Sequence, residues 1–347
     1  MKNIIIFFIA VFILLVSIKA GVYRLQTPND LKLTQNDSNF QFDSLYSLPT
    51  KYDNISGPGL AYICHLSENF VTVFDTKTNE LIGIIPCGTG SDWICFPSEG
   101  SNGYISNYGS GNLTVFDRKT NETVATTDAG ENPTYLLGIK NKVLISHQSR
   151  EGLWVMDTYN NTIVKKLTEG TGPLYYIENE NKIYQPQIFI PYLYVLDPIK
   201  LEVIKKIKTG GRPMEMAFTE NKKFGYMVNF DFDEVTKYDT KTDNEIKRIK
   251  DIKKPRGIAS SPDGKIVYVT NVVDGIVYVI STETDSIIAN IDGFKMPVSV
   301  AFNSDGKYAY VLNQAAATIS IIDTKENNII QTILIAGNPI SITIDNP

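Results

Sequence analysis

Apolar and polar residues alternate in short runs along most of the chain, as in "IVYVTN" at Ile266 and "IVYVIS" at Ile276. A period of two predicts β-strands with alternate side chains on opposite faces. The runs recur in a fixed phrase: an alternating run, then Asp-Thr-x-Thr or a variant, then another apolar run. The phrase reads "VTVFDTKTNE" at Val71, "LTVFDRKTNE" at Leu113, "LWVMDTYNNT" at Leu153 and "LYVLDPIKLE" at Leu193. It continues as "VTKYDTKTDN" at Val235, "VYVISTETDS" at Val277 and "ISIIDTKENN" at Ile319. The aligned positions are Asp75, Asp117, Asp157, Asp197, Asp239, Ser281 and Asp323, with steps of 42, 40, 40, 42, 42 and 42 residues. A period of about 40–45 residues made of short strands marks the blades of a β-propeller.

Each copy divides into four predicted strands. Strand A follows a proline, as in "KPRGIASS" and "MPVSVAFN". A turn such as Pro262-Asp263-Gly264-Lys265 joins it to strand B, since Asp-Gly between alternating runs is a hairpin signal. A loop leads to strand C. The Asp-Thr-x-Thr turn, whose side chains can bond their own backbone, leads to strand D. The chain closes on "NPISITIDNP", a strand A with no B, C or D behind it. The repeats begin with "LAYICHL" near Leu60, a strand B with no A before it. The two fragments complete one blade, which leaves the ring without a free seam. The sequence thus predicts an all-β, seven-bladed propeller over 57–347, with four antiparallel strands per blade and a first blade closed by the C-terminal strand.

Tyr268-Val269-Thr270-Asn271, with the Ser261-Pro262-Asp263-Gly264 turn before it, resembles the YVTN-type β-propeller repeat. The resemblance spans all seven blades and is sharpest in the last two. Blades three and four depart from it, with "NKVLISHQ" and "NKIYQPQI". It implies a seven-bladed propeller in an extracytoplasmic or cell-surface protein. Related propellers include lactonase-like enzymes and quinoprotein dehydrogenases, so fold alone assigns no activity.

Composition narrows the setting. Lys2 precedes an apolar run from Ile4 to Ile18, too short for a full membrane span of roughly 20 residues. Residues 1–20 are expected to be a signal peptide or a signal anchor, the latter giving an N-terminal membrane attachment. Residues 21–56 are polar and read as a tether. With 33 basic and 38 acidic residues and no basic block, the chain gives no sign of nucleic-acid binding. Cys64, Cys87 and Cys95 make no disulfide framework; one pair could bridge, and the spacing does not choose which. Glycosylation sequons at Asn112, Asn121 and Asn160 fall in predicted turns.

Two registers and a loop cluster are the candidate chemistry. Strand B ends, ten places before each aligned Asp or Ser, at His65, Asn107, His147, Gln187, Asn229, Asn271 and Asn313. Both histidines of the protein stand there. A once-per-blade amide suits a loop cap, and His65 and His147 are the exceptions that could meet a ligand. The residue two after each proline is Trp93 (with Ser91 in place of proline), Tyr135, Tyr175, Glu215, Gly257, Ser299 or Ser341. Its three aromatics could pack between blades or form a stacking platform. Arg212, Arg256 and Lys295 lie in the loops around the later prolines and, with Glu215, could hold an anionic group. Asp231, Asp233 and Glu234 lack the spacing and glycine of an EF-hand. No nucleophile elbow, phosphate loop, zinc motif or haem attachment site appears.

The expected function is therefore a non-catalytic, monomeric propeller that binds a protein or carbohydrate partner through its loop-rich face, with no cofactor. A lactonase-like hydrolase acting in the central funnel is the alternative, and a quinoprotein-type oxidoreductase a more distant one. The hydrolase requires at least three of His65, His147, Arg212, Glu215 and Arg256 to meet in one pocket.

Overall fold

The structure, a computed structural model, describes residues 59–149 and 151–345. The expected leader or anchor and the expected tether lie outside the described residues. The described chain forms seven four-stranded antiparallel sheets, as the repeat predicts. In blade one the last strand, Pro339–Asp345, pairs with Leu60–His65. Phe70–Asp75 and Glu80–Pro86 follow outward. Every other blade runs A to D in sequence order, from centre to edge. The inner strands of neighbouring blades lie against one another, which sets the A strands around the axis.

Burial follows from this layering. Strands B and C are covered on both faces by adjacent blades, so they read as nearly continuous apolar runs. Strand D is the exposed edge, and there Val203–Lys208 and Asn244–Ile249 carry lysines that discourage edge-to-edge pairing. The core is divided among the seams between blades. Tyr62, Ile94, Ile105 and Phe116 pack between blades one and two. Tyr268, Val279, Phe302 and Val311 do so between six and seven. At the closing seam the Phe74 ring meets Tyr310 edge-on at 5.5 Å.

The repeated polar residues act as fasteners. Asp117 Oδ1 accepts from the backbone N–H groups of Lys119 and Thr120, which fixes the C–D turn. The next residue in the phrase ties that turn to its own blade: Thr76 Oγ1 donates to the Gly59 carbonyl at 2.7 Å. A latch between blades is built from the tyrosine three places before the end of strand B. Its hydroxyl donates to the residue four after the aligned Asp or Ser in the next blade. The pairs are Tyr62–Asn121, Tyr104–Asn161, Tyr184–Asp243, Tyr226–Asp285, Tyr268–Asn327 and Tyr310–Asn79. The accepting residues have left-handed backbones, such as φ 61° at Asn79 and 58° at Asp243, a conformation that Asn and Asp tolerate best. Between blades three and four both partners are leucine. Leu144 and Leu201 share one apolar cluster there, and Leu201 keeps φ at 59°. An apolar contact thus replaces the polar latch at that one seam.

Candidate functional site

A distortion of the inner strands builds the site. Pairing between A and B is interrupted just after the proline or its stand-in in blades two, three, five, six, seven and one. In blade four the inner strand shrinks to Tyr175–Ile177. A bulge adds one residue to one strand and re-aims the side chains beside it. The residues at these irregularities include Asp92 and Trp93, Thr134 and Tyr135, Met214 and Glu215, and Arg256 and Gly257. They stand at the start of strand A, on the face of the ring that carries the D–A and B–C loops.

Charges meet there across the axis. Burial raises the Asp92 carboxyl to about 7, against the opposing field of the Arg256 guanidinium. Burial likewise raises Glu215 to about 7; Arg256 and the Ile258 backbone oppose the shift, and Asp92 adds to it. Glu215 keeps partial solvent contact, yet desolvation dominates its titration. Its strand, Pro213–Phe218, is one of the inner strands around the axis of the ring. Burial, followed by the Asp92 and Glu215 carboxylates, raises the Tyr135 phenol. Burial and then Glu215 raise Tyr175, whose hydroxyl accepts from the Met216 N–H at 3.0 Å. Tyr108, in the B–C loop of blade two, is raised by burial and by Asp92. Among the described residues, Nη1 of Arg256 is buried without a hydrogen-bond partner.

Aromatic and small residues divide the ring between them. Trp93 and Tyr135 meet edge to face, with ring centroids 5.3 Å apart. Ser106 joins their strands: its hydroxyl accepts from the Trp93 N–H at 3.0 Å and donates to the Thr134 carbonyl at 2.5 Å. Gly257, Ser299 and Ser341 hold the matching positions in blades six, seven and one. A Cβ on Gly257 would stand 2.7 Å from the Val298 carbonyl oxygen, so close packing of blades six and seven requires glycine beside Arg256. The Ser341 hydroxyl donates to the Asp92 carbonyl, which ties blade one to the bulge of blade two.

Of the residues singled out in the sequence, Trp93, Tyr135, Tyr175, Glu215 and Arg256 come together here. Asp92 joins them without having been foreseen. The bulge leaves both residues after the proline position unpaired, the first, Asp92, as well as the second, Trp93. A carboxylate at that place in "SDWIC", otherwise an inner-strand pattern, was the available signal.

Other candidates have structural work elsewhere. Arg212 sits on the rim, where it forms a bidentate pair with Asp231 and faces the Phe230 ring. Lys295 is an exposed loop residue. Asp233 pairs with Lys254 at 3.0 Å and Glu234 with Arg248 at 2.8 Å, so ion pairs rather than a cation organise that acidic loop.

The two histidines are correspondingly reassigned. His65 is fully buried; its Nε2 lies 2.8 Å from Thr72 Oγ1 and its Nδ1 3.2 Å from the Gly337 carbonyl. His147 is buried between the Gly152 and Ala129 carbonyls, at 2.9 and 2.6 Å. Neither joins the channel cluster. Asn107, Asn229 and Asn313 bond the residue seven places on, as His65 does, so in blades one, two, five and seven the register caps strand C; Asn271 caps its own B–C loop instead. Burial lowers His65 from 6.5 to about 4. A depressed histidine contributes stability that is present above 6.5 and lost as pH falls toward 4. His65→Asn is expected to fold, to keep the Thr72 bond and to lose that acid sensitivity. Denaturant midpoints at pH 7 and pH 4.5 check this, and an unchanged pH dependence would refute it.

Cys64, Cys87 and Cys95 are free thiols. Burial raises all three, Cys87 to about 12, so they behave as small apolar residues. Asn121 is a corrected sequon. It is fully buried as a latch acceptor, with Nδ2 enclosed, and a glycan there is incompatible with the folded ring. Asn160 is exposed, and Asn112 is half-buried.

No protein-family model matches the chain, and no curated protein matches it. Solved structures do. A protein of unknown function from Desulfotomaculum acetoxidans aligns with a TM-score of 0.72 at 12% identity, over 83% of this chain and 99% of that one. A Bacteroides fragilis protein described as a candidate 6-phosphogluconolactonase aligns with a TM-score of 0.69 at 15% identity, over 84% and 99%. Hydrazine synthase of Kuenenia stuttgartiensis aligns with a TM-score of 0.67 at 15% identity, over 84% and 99%. At these identities the likeness is one of fold: the chain is a seven-bladed β-propeller.

Proposed function

We propose that this protein is a non-catalytic, extracytoplasmic or cell-surface propeller that binds a carbohydrate partner at the mouth of its central channel. The convergence of Asp92, Glu215 and Arg256 with Trp93, Tyr135 and Tyr175 carries the proposal. Carboxyls and a guanidinium suit sugar hydroxyls, and aromatic rings suit the apolar face of a sugar ring. The apolar N-terminal run supports the location outside the cytoplasm.

A glycan array probed with the purified protein, followed by calorimetry on its hits, tests this. Trp93→Ala and Glu215→Gln are each expected to weaken binding by about 10–100-fold, the loss of a stacked ring or a buried hydrogen bond. Binding that survives both substitutions would move the site to the outer loops.

One observation favours a second reading. Two carboxyls poised near neutrality can serve as acid and base, and one fold neighbour is described as a candidate lactonase. Of the five residues from which the lactonase account requires three, Glu215 and Arg256 meet here. Turnover of a lactone panel that Glu215→Gln abolishes would replace the binding account with hydrolysis.

A further inference from the structure

Three features of the channel mouth bear on which sugar it would take. Arg256 has a buried Nη1 with no partner among the described residues, although two carboxyl groups lie within reach of its field. No ion pair or hydrogen bond joins it to either of them among the described residues. A buried guanidinium edge left open is costly, and a carboxylate is the group that satisfies it best. On the side of the ring next to Arg256 the matching positions are Gly257, Ser299 and Ser341, which place no second charge beside that edge, while the stacking residues stand on the other side.

We infer that the ligand is a sugar acid of the hexuronate class, its carboxylate seated on Arg256, and that one proton enters the site with it. The inference rests on the channel-mouth binding proposed above. Asp92 of blade two and Glu215 of blade five lie within the electrostatic reach of Arg256 of blade six. Tyr108 and Tyr135 face Asp92, Tyr135 and Tyr175 face Glu215, and the buried Cys64 thiol lies behind Asp92. Blades seven and one present no titratable side chain at the ring position, only Ser299 and Ser341.

With both carboxyls neutral the cluster carries the single positive charge of Arg256 and attracts an anion. With both ionised it carries a net negative charge and repels one. Bound carboxylate also withdraws the stabilising field of Arg256 from Asp92 and Glu215, and so draws protons onto them. Both groups titrate near pH 7, which places the change between pH 6 and pH 8.

Calorimetry with galacturonate, trigalacturonate and neutral galactose, on the full-length protein at pH 6 and pH 8, tests this. At pH 6 galacturonate is expected to bind at least tenfold tighter than galactose. Its affinity should fall at least tenfold by pH 8, with proton uptake visible as a heat that depends on buffer ionisation. Arg256→Gln should remove the preference for the acid, so that galacturonate binds the variant no tighter than galactose does. Asp92→Asn with Glu215→Gln should make galacturonate binding independent of pH. Trigalacturonate separates the end of a polyuronate chain from the free sugar as the source of the carboxylate. Galactose binding as tightly as galacturonate, or equal affinity at pH 6 and pH 8, would overturn the inference and leave the channel site standing. If none of the three binds, both accounts fall.

Discussion

A chain ended at Gly337 is expected to lose cooperative folding. The deletion removes the inner strand of blade one, which pairs with Leu60–His65 along its length. It also removes the carbonyls that receive the N–H groups of Gly59 and Leu66, and Asp345, which holds Arg118 of blade two at 2.8 Å. Ile342 and Ser341, both buried, go with it. Several backbone hydrogen bonds at about 1 kcal/mol each and three isoleucines, one buried and two half-buried, at about 1–3 kcal/mol each sum to roughly 10 kcal/mol. That is of the order of a whole domain's stability. A broad, non-sigmoidal thermal transition with an enlarged hydrodynamic radius is the expected result. A sharp transition at the full-length midpoint would show that ring closure is not what stabilises the fold.

The second large effect concerns pH. Asp92 and Glu215 have folded-state values near 7, above their ordinary 3.8 and 4.5. A raised carboxyl favours the folded state below its unfolded pKa, and that contribution is lost as pH rises through the folded value. The wild-type protein therefore loses stability from these groups between about pH 4 and pH 7. Each ionised carboxyl left there costs on the order of 3–4 kcal/mol, and the two costs do not simply add because the Asp92 charge is part of the Glu215 shift. Asp92→Asn and Glu215→Gln should match wild type near pH 4 and exceed it at pH 8 by about 2–4 kcal/mol. Urea midpoints across that range measure it. Parallel curves for variants and wild type would mean that the carboxyls are solvated and the cluster does not exist as described. Destabilising ionisable groups kept at one place on an otherwise regular scaffold are what a functional site costs its fold.

The ring was legible in the sequence because a propeller repeats one supersecondary unit. The period, the Asp-Gly hairpins and the orphan strand at each end fixed blade number and closure before any coordinate. The inter-blade latch was not legible. Tyr268 and Asn327 stand 59 residues apart, and each has a local explanation, strand packing for one and turn geometry for the other. Only the stacking of blades joins them. At the seam between blades three and four the same stacking brings Leu144 and Leu201 into one apolar cluster in place of such a pair.

The site was half legible. Aromatics and Glu215 followed the proline register, and Arg256 was flagged by its charge. Asp92 is hidden from the alternation because a bulge shifts it by one residue. The histidines misled for the opposite reason. They are rare residues in a common register: His65 makes the same cap that asparagine makes in blades two, five and seven, and His147 spans two backbone carbonyls.

The channel mouth is the central claim, and Trp93 can report on it directly. The protein has two tryptophans, and the other, Trp154, is buried against His147. In a Trp154→Phe background, galacturonate titrated at pH 6 is expected to produce a saturable change in Trp93 emission. Glu215→Gln should shift that change to higher concentration. Calorimetric binding with no change in Trp93 emission would place the ligand elsewhere on the ring and contradict the account.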